Sequence, residues 1–153
     1  MKALSVWQPW ALLLVTGHKR IETRPWPAPN GLIGQEVAIA SCKNLRTEQR
    51  VAYAAPDFQV HYAATGLPPL AELPRGAVIG KTKLLDCKLM TDELIARIPD
   101  RERAFGIYAP GRFAWFMGEP IRFNNPVPAS GRLGLWDWDH EQVRAFEGKS
   151  VQI

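Results

Sequence analysis

The sequence has few of the residues that build disulfide frameworks or metal sites, with two cysteines and three histidines in 153 residues. Cys42 and Cys87 stand far apart, whereas a small secreted domain is normally rich in cysteine and a zinc site needs a closer group of ligands. The histidines show no HxH or HxxxH spacing. We therefore expect reduced, buried thiols in a cytoplasmic protein, with no metal site and no cofactor.

Long apolar runs are also missing. The first 17 residues superficially mimic a signal peptide, but Gln8-Pro9 interrupts the apolar stretch and no small-x-small cleavage site follows it. No segment approaches the roughly 18 apolar residues that a membrane span needs. These features predict a soluble protein that does not associate with membranes.

The composition favours one compact domain over residues 1–153, because 46% of the residues are hydrophobic and 22% are charged. Thirteen prolines and twelve glycines are many for this length, and they favour short strands and turns over long helices. The net charge of +4 is compatible with a polyanionic partner, although many proteins without one share it. We expect a monomer of mainly β structure.

Segments of strand character are spread along the chain and predict five to seven strands. They cover residues 1–6, 19–24, 36–41, 76–90, 113–117, 121–123 and 131–138. We expect residues 118–120 to separate the segments 113–117 and 121–123. We also expect Gly80 to mark a bulge or a close approach of two backbone segments. The spacing of the strands suits a closed or nearly closed β-barrel.

Short helices are predicted between the strands. Proline at position 9 suits a first helical turn and Gly17 suits the position after a helix end, so we expect a helix over residues 10–15. The remaining predictions are a helical and loop excursion over 45–75 broken at Ala55-Pro56, a helix over 92–98 capped by Thr91, a polar connection over 99–106 and a terminal helix over 140–146.

Several motifs then occur in a fixed order. The run Trp7-Gln8-Pro9-Trp10-Ala11 is followed by the pattern Gly17-x-Lys19-x-x-Glu22-x-Arg24-x-Trp26, by GAVIG at 76–80, and by PVP at 126–128 with GRLGLW at 131–136. Together these blocks resemble the signature of the ASCH domain family over most of residues 4–138. The resemblance implies an α+β, mainly β fold, a PUA-like closed or nearly closed barrel with short flanking helices.

The same resemblance implies several functions. Its members suggest a cleft that binds RNA, a nucleotide or a modified nucleoside. Some small members imply an amidohydrolase acting on N4-acylated cytidine, others imply a metal-independent ribonuclease, and the family name points to a transcriptional coactivator and hence to a protein adaptor. Glu93 and Glu102 fall where the hydrolytic relatives place a further carboxylate, and neither is assigned that role.

Two residues of the signature, Lys19 and Glu22, form the predicted catalytic set together with Ser41. Lys19 stands near another cation, Arg24, and burial would lower its pKa further, so that a neutral amine could act as a base. Glu22 would transfer the proton and Ser41 would steady an oxyanion. The alternatives are an exposed Lys19 paired with Glu22, a solvated ion pair between Glu22 and Arg24, and a serine that caps a turn.

The predicted ligand contacts are cations, aromatic rings and polar groups. Arg24 and Lys43 would hold anionic groups, and tryptophans would stack on a base unless they pack in the core, which we expect for at least half of those considered. Ser130 stands where family members often have lysine, so this position lacks a cation. The predicted contacts are Gln8, Trp10, Arg24, Trp26, Lys43, Trp115 and Ser130, with Trp7 as a further stacking candidate.

Overall fold

The computed structural model describes residues 1–130 and 132–139. The helix predicted over residues 140–146 lies outside this part of the chain. In the described residues, two 3-10 turns cover Asn30–Leu32 and Leu70–Glu72. The strands are β1 Lys2–Val6, β2 Ile21–Arg24, β3 Glu36–Ser41, β4 Ala77–Leu89, β5 Phe113–Pro128 and β6 Leu135–Asp137, and the helices are α1 Trp10–Val15, α2 Thr47–Ala54, α3 Pro56–Ala63, α4 Asp92–Ala96 and α5 Asp100–Ala104.

The six strands form one curled sheet in the order β2-β5-β4-β3-β1-β6. Only β1 and β3 pair in parallel, and the other neighbours are antiparallel. Three strands separate β2 from β1 in this order, yet an Arg24 Nη2 group from β2 donates a hydrogen bond of 2.7 Å to the Ser5 carbonyl of β1. The sheet therefore curls until its β2 edge reaches β1, which confirms the predicted mainly β, barrel-like fold.

Helix α1 lies on the concave face of this sheet. Its residues from Ala11 to Val15 are all buried, and they pack with alternate residues of the strands, among them Leu4, Val37 and Ile39. The helix begins after Pro9 and is followed by Gly17, whose φ of +79° is the left-handed conformation expected just beyond a helix end. The predicted helix over residues 10–15 is confirmed.

Two segments differ from prediction. Residues 113–117 and 121–123 belong to one continuous strand, β5, instead of two strands interrupted at 118–120. Between the pairs Lys81–Ile121 and Lys83–Gly118, strand β4 advances two residues while β5 advances three, so the Glu119-Pro120 region is a bulge within the strand. The predicted polar connection over 99–106 instead contains helix α5, which begins after Pro99 and ends before the buried Phe105.

The segment 45–75 carries α2 and α3, which meet at Ala55-Pro56 as predicted. Phe58 and Tyr62 of α3 form a buried cluster with Leu13 of α1 and with Phe105. This cluster packs α3 against α1 and against the residue that follows α5. No helix in the described part of the chain has the length and apolar character that crossing a membrane requires.

Gly80 stands where two strands and helix α1 approach each other most closely. A Cβ atom at this position would lie 2.3 Å from the Ile121 carbonyl oxygen and 2.8 Å from Val15. We expect Gly80→Ala to lower the free energy of unfolding by about 3 kcal/mol, because the backbone oxygen has to move away.

Urea unfolding followed by tryptophan fluorescence measures this loss. Gly31→Ala is the matched control, because a Cβ at Gly31 would have no atom within 4 Å, and we expect it to change stability by less than about 0.5 kcal/mol. Equal stability of the two variants would show that the close approach at Gly80 is absent.

Candidate functional site

Three charged residues of the sequence signature form a connected chain at the β2 edge. Glu22 lies between two cations: its Oε1 atom is 3.8 Å from the Lys19 Nζ atom, and its Oε2 atom is 2.9 Å from the Arg24 Nη2 atom. The Arg24 Nε group also donates a hydrogen bond of 3.0 Å to Oε2. Glu22 pairs with the core residue Trp115 across the sheet, so this carboxylate points into the barrel.

Lys19 is sealed from solvent. Its side chain is 1% exposed, and its Nζ atom donates a hydrogen bond of 2.7 Å to the Phe105 carbonyl. Burial lowers the pKa of Lys19, and the nearby positive charge of Arg24 adds to this shift, while the negative charges of Glu22 and Glu102 oppose it. A lowered pKa agrees with the predicted direction, but the amine contacts protein atoms instead of an open cleft.

Helix α5 and the residues after it cover Lys19. The Glu102 Oε1 atom accepts a hydrogen bond of 2.7 Å from the backbone N–H of Arg20, which fixes α5 to the start of β2. The Glu102 Oε2 and Tyr108 Oη atoms are buried without a hydrogen-bond partner among the described residues. Burial raises the pKa of Tyr108, and the charges of Glu102 and Glu22 add to this shift.

Glu102 and Tyr108 are therefore members of the buried polar cluster that sequence reasoning did not assign. Glu102 was noticed as one of two carboxylates after the long strand, but its contact with Arg20 depends on the fold of α5. Tyr108 carries no motif at all. Its place in the cluster follows from the packing around Gly106. A Cβ atom on Gly106 would lie 2.9 Å from the Tyr108 ring and 3.4 Å from the Lys19 Nζ atom.

Arg24 connects the buried chain to a partly exposed surface that carries two arginine–tryptophan pairs, and we refer to this surface as the predicted cleft. The Arg24 side chain is 18% exposed, and its guanidinium carbon lies 5.7 Å from the centre of the Trp26 ring. A second pair of the same kind follows, since the Arg46 guanidinium carbon lies 5.4 Å from the centre of the Trp7 ring. Both pairs lie near the end of β1, because Arg24 donates to the Ser5 carbonyl and Trp7 follows that strand directly. Burial raises the pKa of the Cys42 thiol, and the positive charges of Arg24 and Arg46 both oppose that shift.

Several predicted site residues have their polar groups engaged within the protein. Gln8 is fully buried; its Oε1 atom accepts from the Leu12 N–H at 3.0 Å and its Nε2 group donates to the Pro74 carbonyl at 2.7 Å. The buried Ser41 hydroxyl donates to the Ala77 carbonyl at 3.1 Å. Both side chains stabilise the fold, and neither presents a free polar atom to the cleft.

Two predicted stacking residues pack in the protein as well. Trp115 is 0% exposed and meets Trp26 edge to face with 5.1 Å between the ring centres, so it has no open face for a base. The stacking role predicted for Trp115 does not fit this structure. Trp10 is half-buried and packs edge-on against Phe58 of α3, with 5.9 Å between the ring centres.

Lys43 and Ser130 lie together in a separate open groove beside the cleft. The groove has a volume of about 430 Å³ and is lined by Lys43, Arg75, Gly76, Pro128, Ala129 and Ser130. Two of these residues are cations and none is acidic. Within the described residues, no group of three or more histidine, cysteine or acidic side chains is arranged to hold a metal ion.

The curled barrel and its charged signature define the class of the protein. The family model of the ASCH domain matches residues 4–127, and the chain belongs to the ASCH domain family. This assignment confirms the resemblance seen in the sequence motifs.

Relatives and solved structures agree with this family. Activating signal cointegrator 1 of Homo sapiens is 27% identical over 136 residues, which make up 89% of this chain and 22% of the relative, and the Mus musculus protein is 26% identical over the same shares. The chain thus spans about a fifth of the length of these relatives. The crystal structure of ASCH from Zymomonas mobilis has a TM-score of 0.54 at 14% identity, covering 99% of this chain and 92% of that chain. A single-substitution variant of that protein gives a TM-score of 0.55 at 14% identity, with 94% of each chain covered.

Removing the Glu22 charge tests the buried chain. We expect Glu22→Gln to lower the free energy of unfolding by about 3 kcal/mol, because Lys19 and Arg24 lose the carboxylate that lies between them inside the protein. Urea unfolding at neutral pH gives this value.

The exposed pair of Lys2 and Asp137, 2.8 Å apart, supplies the matched control. Asp137→Asn makes the same chemical change at the surface, where solvent screens the pair and we expect no measurable loss of stability. If Glu22→Gln were as mild as Asp137→Asn, the buried chain would not stabilise the fold.

Proposed function

We propose that this protein binds single-stranded RNA in the cleft between its two arginine–tryptophan pairs. The observation that carries the proposal is that two guanidinium groups, those of Arg24 and Arg46, each lie over a tryptophan ring near the end of β1. A planar guanidinium group suits a phosphate, and an indole ring suits a base. The net charge of +4 supports a polyanionic ligand.

The buried chain gives this cleft a fixed cation. Arg24 donates to Glu22 and to the Ser5 carbonyl, so its guanidinium group is held before a ligand arrives. A binding group held in place loses less conformational entropy on association than a mobile side chain does. Arg46 is exposed and contacts Trp7, so it can adjust to the ligand.

A hydrolase acting on N4-acylated cytidine is the second candidate. The lowered pKa of Lys19 favours it, because a neutral amine can accept a proton from water. The 1% exposure of Lys19 opposes it, since substrate would reach the amine only after the residues around Phe105 move. Release of acetate from N4-acetylcytidine that disappears in Lys19→Met would establish the hydrolase, and cleavage of RNA chains with the same dependence would establish a ribonuclease.

Arg46 offers the direct test of RNA binding. We expect Arg46→Ala to weaken binding of a fluorescein-labelled mixed-sequence RNA of six nucleotides about tenfold, because a charge-assisted contact to phosphate and a stacking partner of Trp7 are lost. Fluorescence anisotropy measured over a range of salt concentrations gives the affinity. The slope of log affinity against log salt should fall by about 0.7.

Arg97→Ala is the matched control, because it removes the same exposed charge at the end of α4. That helix packs with Ile21 and Ala114. These two residues are the strand neighbours of Glu22 and Trp115, so they face the side of the sheet opposite to the Glu22 carboxylate. We expect its affinity to stay within a factor of two of wild type. If both variants bound equally, the cleft would not be the RNA site.

A further inference from the structure

The groove beside the cleft combines cations with a rigid backbone. Its two cations are the exposed residues Lys43 and Arg75, and no acidic residue lines the groove. A groove with cations and no acid attracts an anion without an internal competitor for it. The arginine–tryptophan pairs contribute none of the residues that line this groove.

The backbone on both sides of Arg75 is fixed by buried groups. The Gln8 Nε2 group donates to the Pro74 carbonyl at 2.7 Å. Gly76 donates from its N–H to the Ser41 carbonyl at 2.9 Å and accepts from the Ala129 N–H at 3.1 Å. Gly76 has a φ of +69°, and a Cβ there would lie 3.6 Å from Lys43, so the turn brings the Arg75 segment directly beside Lys43.

The groove continues from the proposed RNA cleft. Lys43 follows Cys42, whose N–H donates a hydrogen bond of 3.0 Å to the Val6 carbonyl, and Val6 directly precedes Trp7. Lys43 therefore lies near the end of β1, where Arg24 contacts Ser5 and Arg46 contacts Trp7, and it also lines the groove together with Arg75. A mononucleotide has too few phosphate groups to contact the cleft and the groove together. An RNA strand has one phosphate group for each nucleotide and can contact both.

We infer that the groove of Lys43, Arg75 and Ser130 binds the phosphate backbone of the RNA strand whose base occupies the cleft. The inference rests on the proposed function and adds a second contact surface, for the phosphate backbone of the same strand. Gln8 and Ser41 take part as positioning residues, since the Gln8 side chain and the Ser41 backbone hold the turn that carries Arg75.

Arg75→Ala tests this inference with two probes, the six-nucleotide RNA and cytidine monophosphate as its competitor. We expect the variant to bind the hexamer about fivefold more weakly, with a salt slope lower by about 0.7, because one phosphate contact is lost. Its affinity for cytidine monophosphate should stay within a factor of two. An unchanged affinity for the hexamer, or an equal loss for both probes, would overturn the inference.

Ser130→Lys provides a gain-of-function test in the same groove. The added cation should bind the hexamer about threefold more tightly and increase the salt slope, with no change for cytidine monophosphate. An unchanged hexamer affinity would contradict the inference.

The two proposals fail in different ways. If Arg46→Ala bound the hexamer more weakly while Arg75→Ala bound it as the wild type does, the cleft would be supported as an RNA site. The same result would exclude the groove as a binding site for the RNA backbone. If the wild-type protein did not bind the hexamer, the proposed function would be wrong and the inference with it.

Discussion

The buried Glu22 carboxylate is the interaction on which the edge of the sheet depends. It lies between Lys19 and Arg24, and Arg24 in turn donates to the Ser5 carbonyl of β1. The same guanidinium group therefore neutralises a buried acid and joins β2 to β1, a strand four places away in the sheet. Because each of these charges is costly to bury alone, the set is stable only when complete.

This arrangement separates the two ends of the chemical signature. At its inner end, Lys19 is covered by α5 and bonded to the Phe105 carbonyl. At its outer end, the partly exposed Arg24 lies over the Trp26 ring. Lys19 and Glu22 are residue types expected for catalysis. Because Lys19 is buried and Arg24 is partly exposed, the arrangement favours binding of an anion over catalysis. Access to Lys19 distinguishes a hydrolase from a binding protein in this fold.

The sequence predicted the fold better than the site. Short-range signals such as Pro9 before α1 and Gly17 after it depend on local backbone chemistry, and the structure follows them. The bulge near Glu119 resembled a break because Gly-Glu-Pro suits a turn, whereas pairing with β4 keeps the strand continuous. The engagement of Gln8 and the burial of Trp115 depend on distant partners, Pro74 and Trp26, which no local pattern specifies.

The central claim is that the outer end of the signature receives a base and its phosphate. The most direct test is a titration of the nitrogen-15-labelled protein with the six-nucleotide RNA, followed by NMR of the indole N–H groups of its six tryptophans. The account predicts that the signals of Trp7 and Trp26 move most, while Trp138, buried on the other side of the sheet, does not move. Unmoved signals of Trp7 and Trp26 in the presence of bound RNA would contradict it.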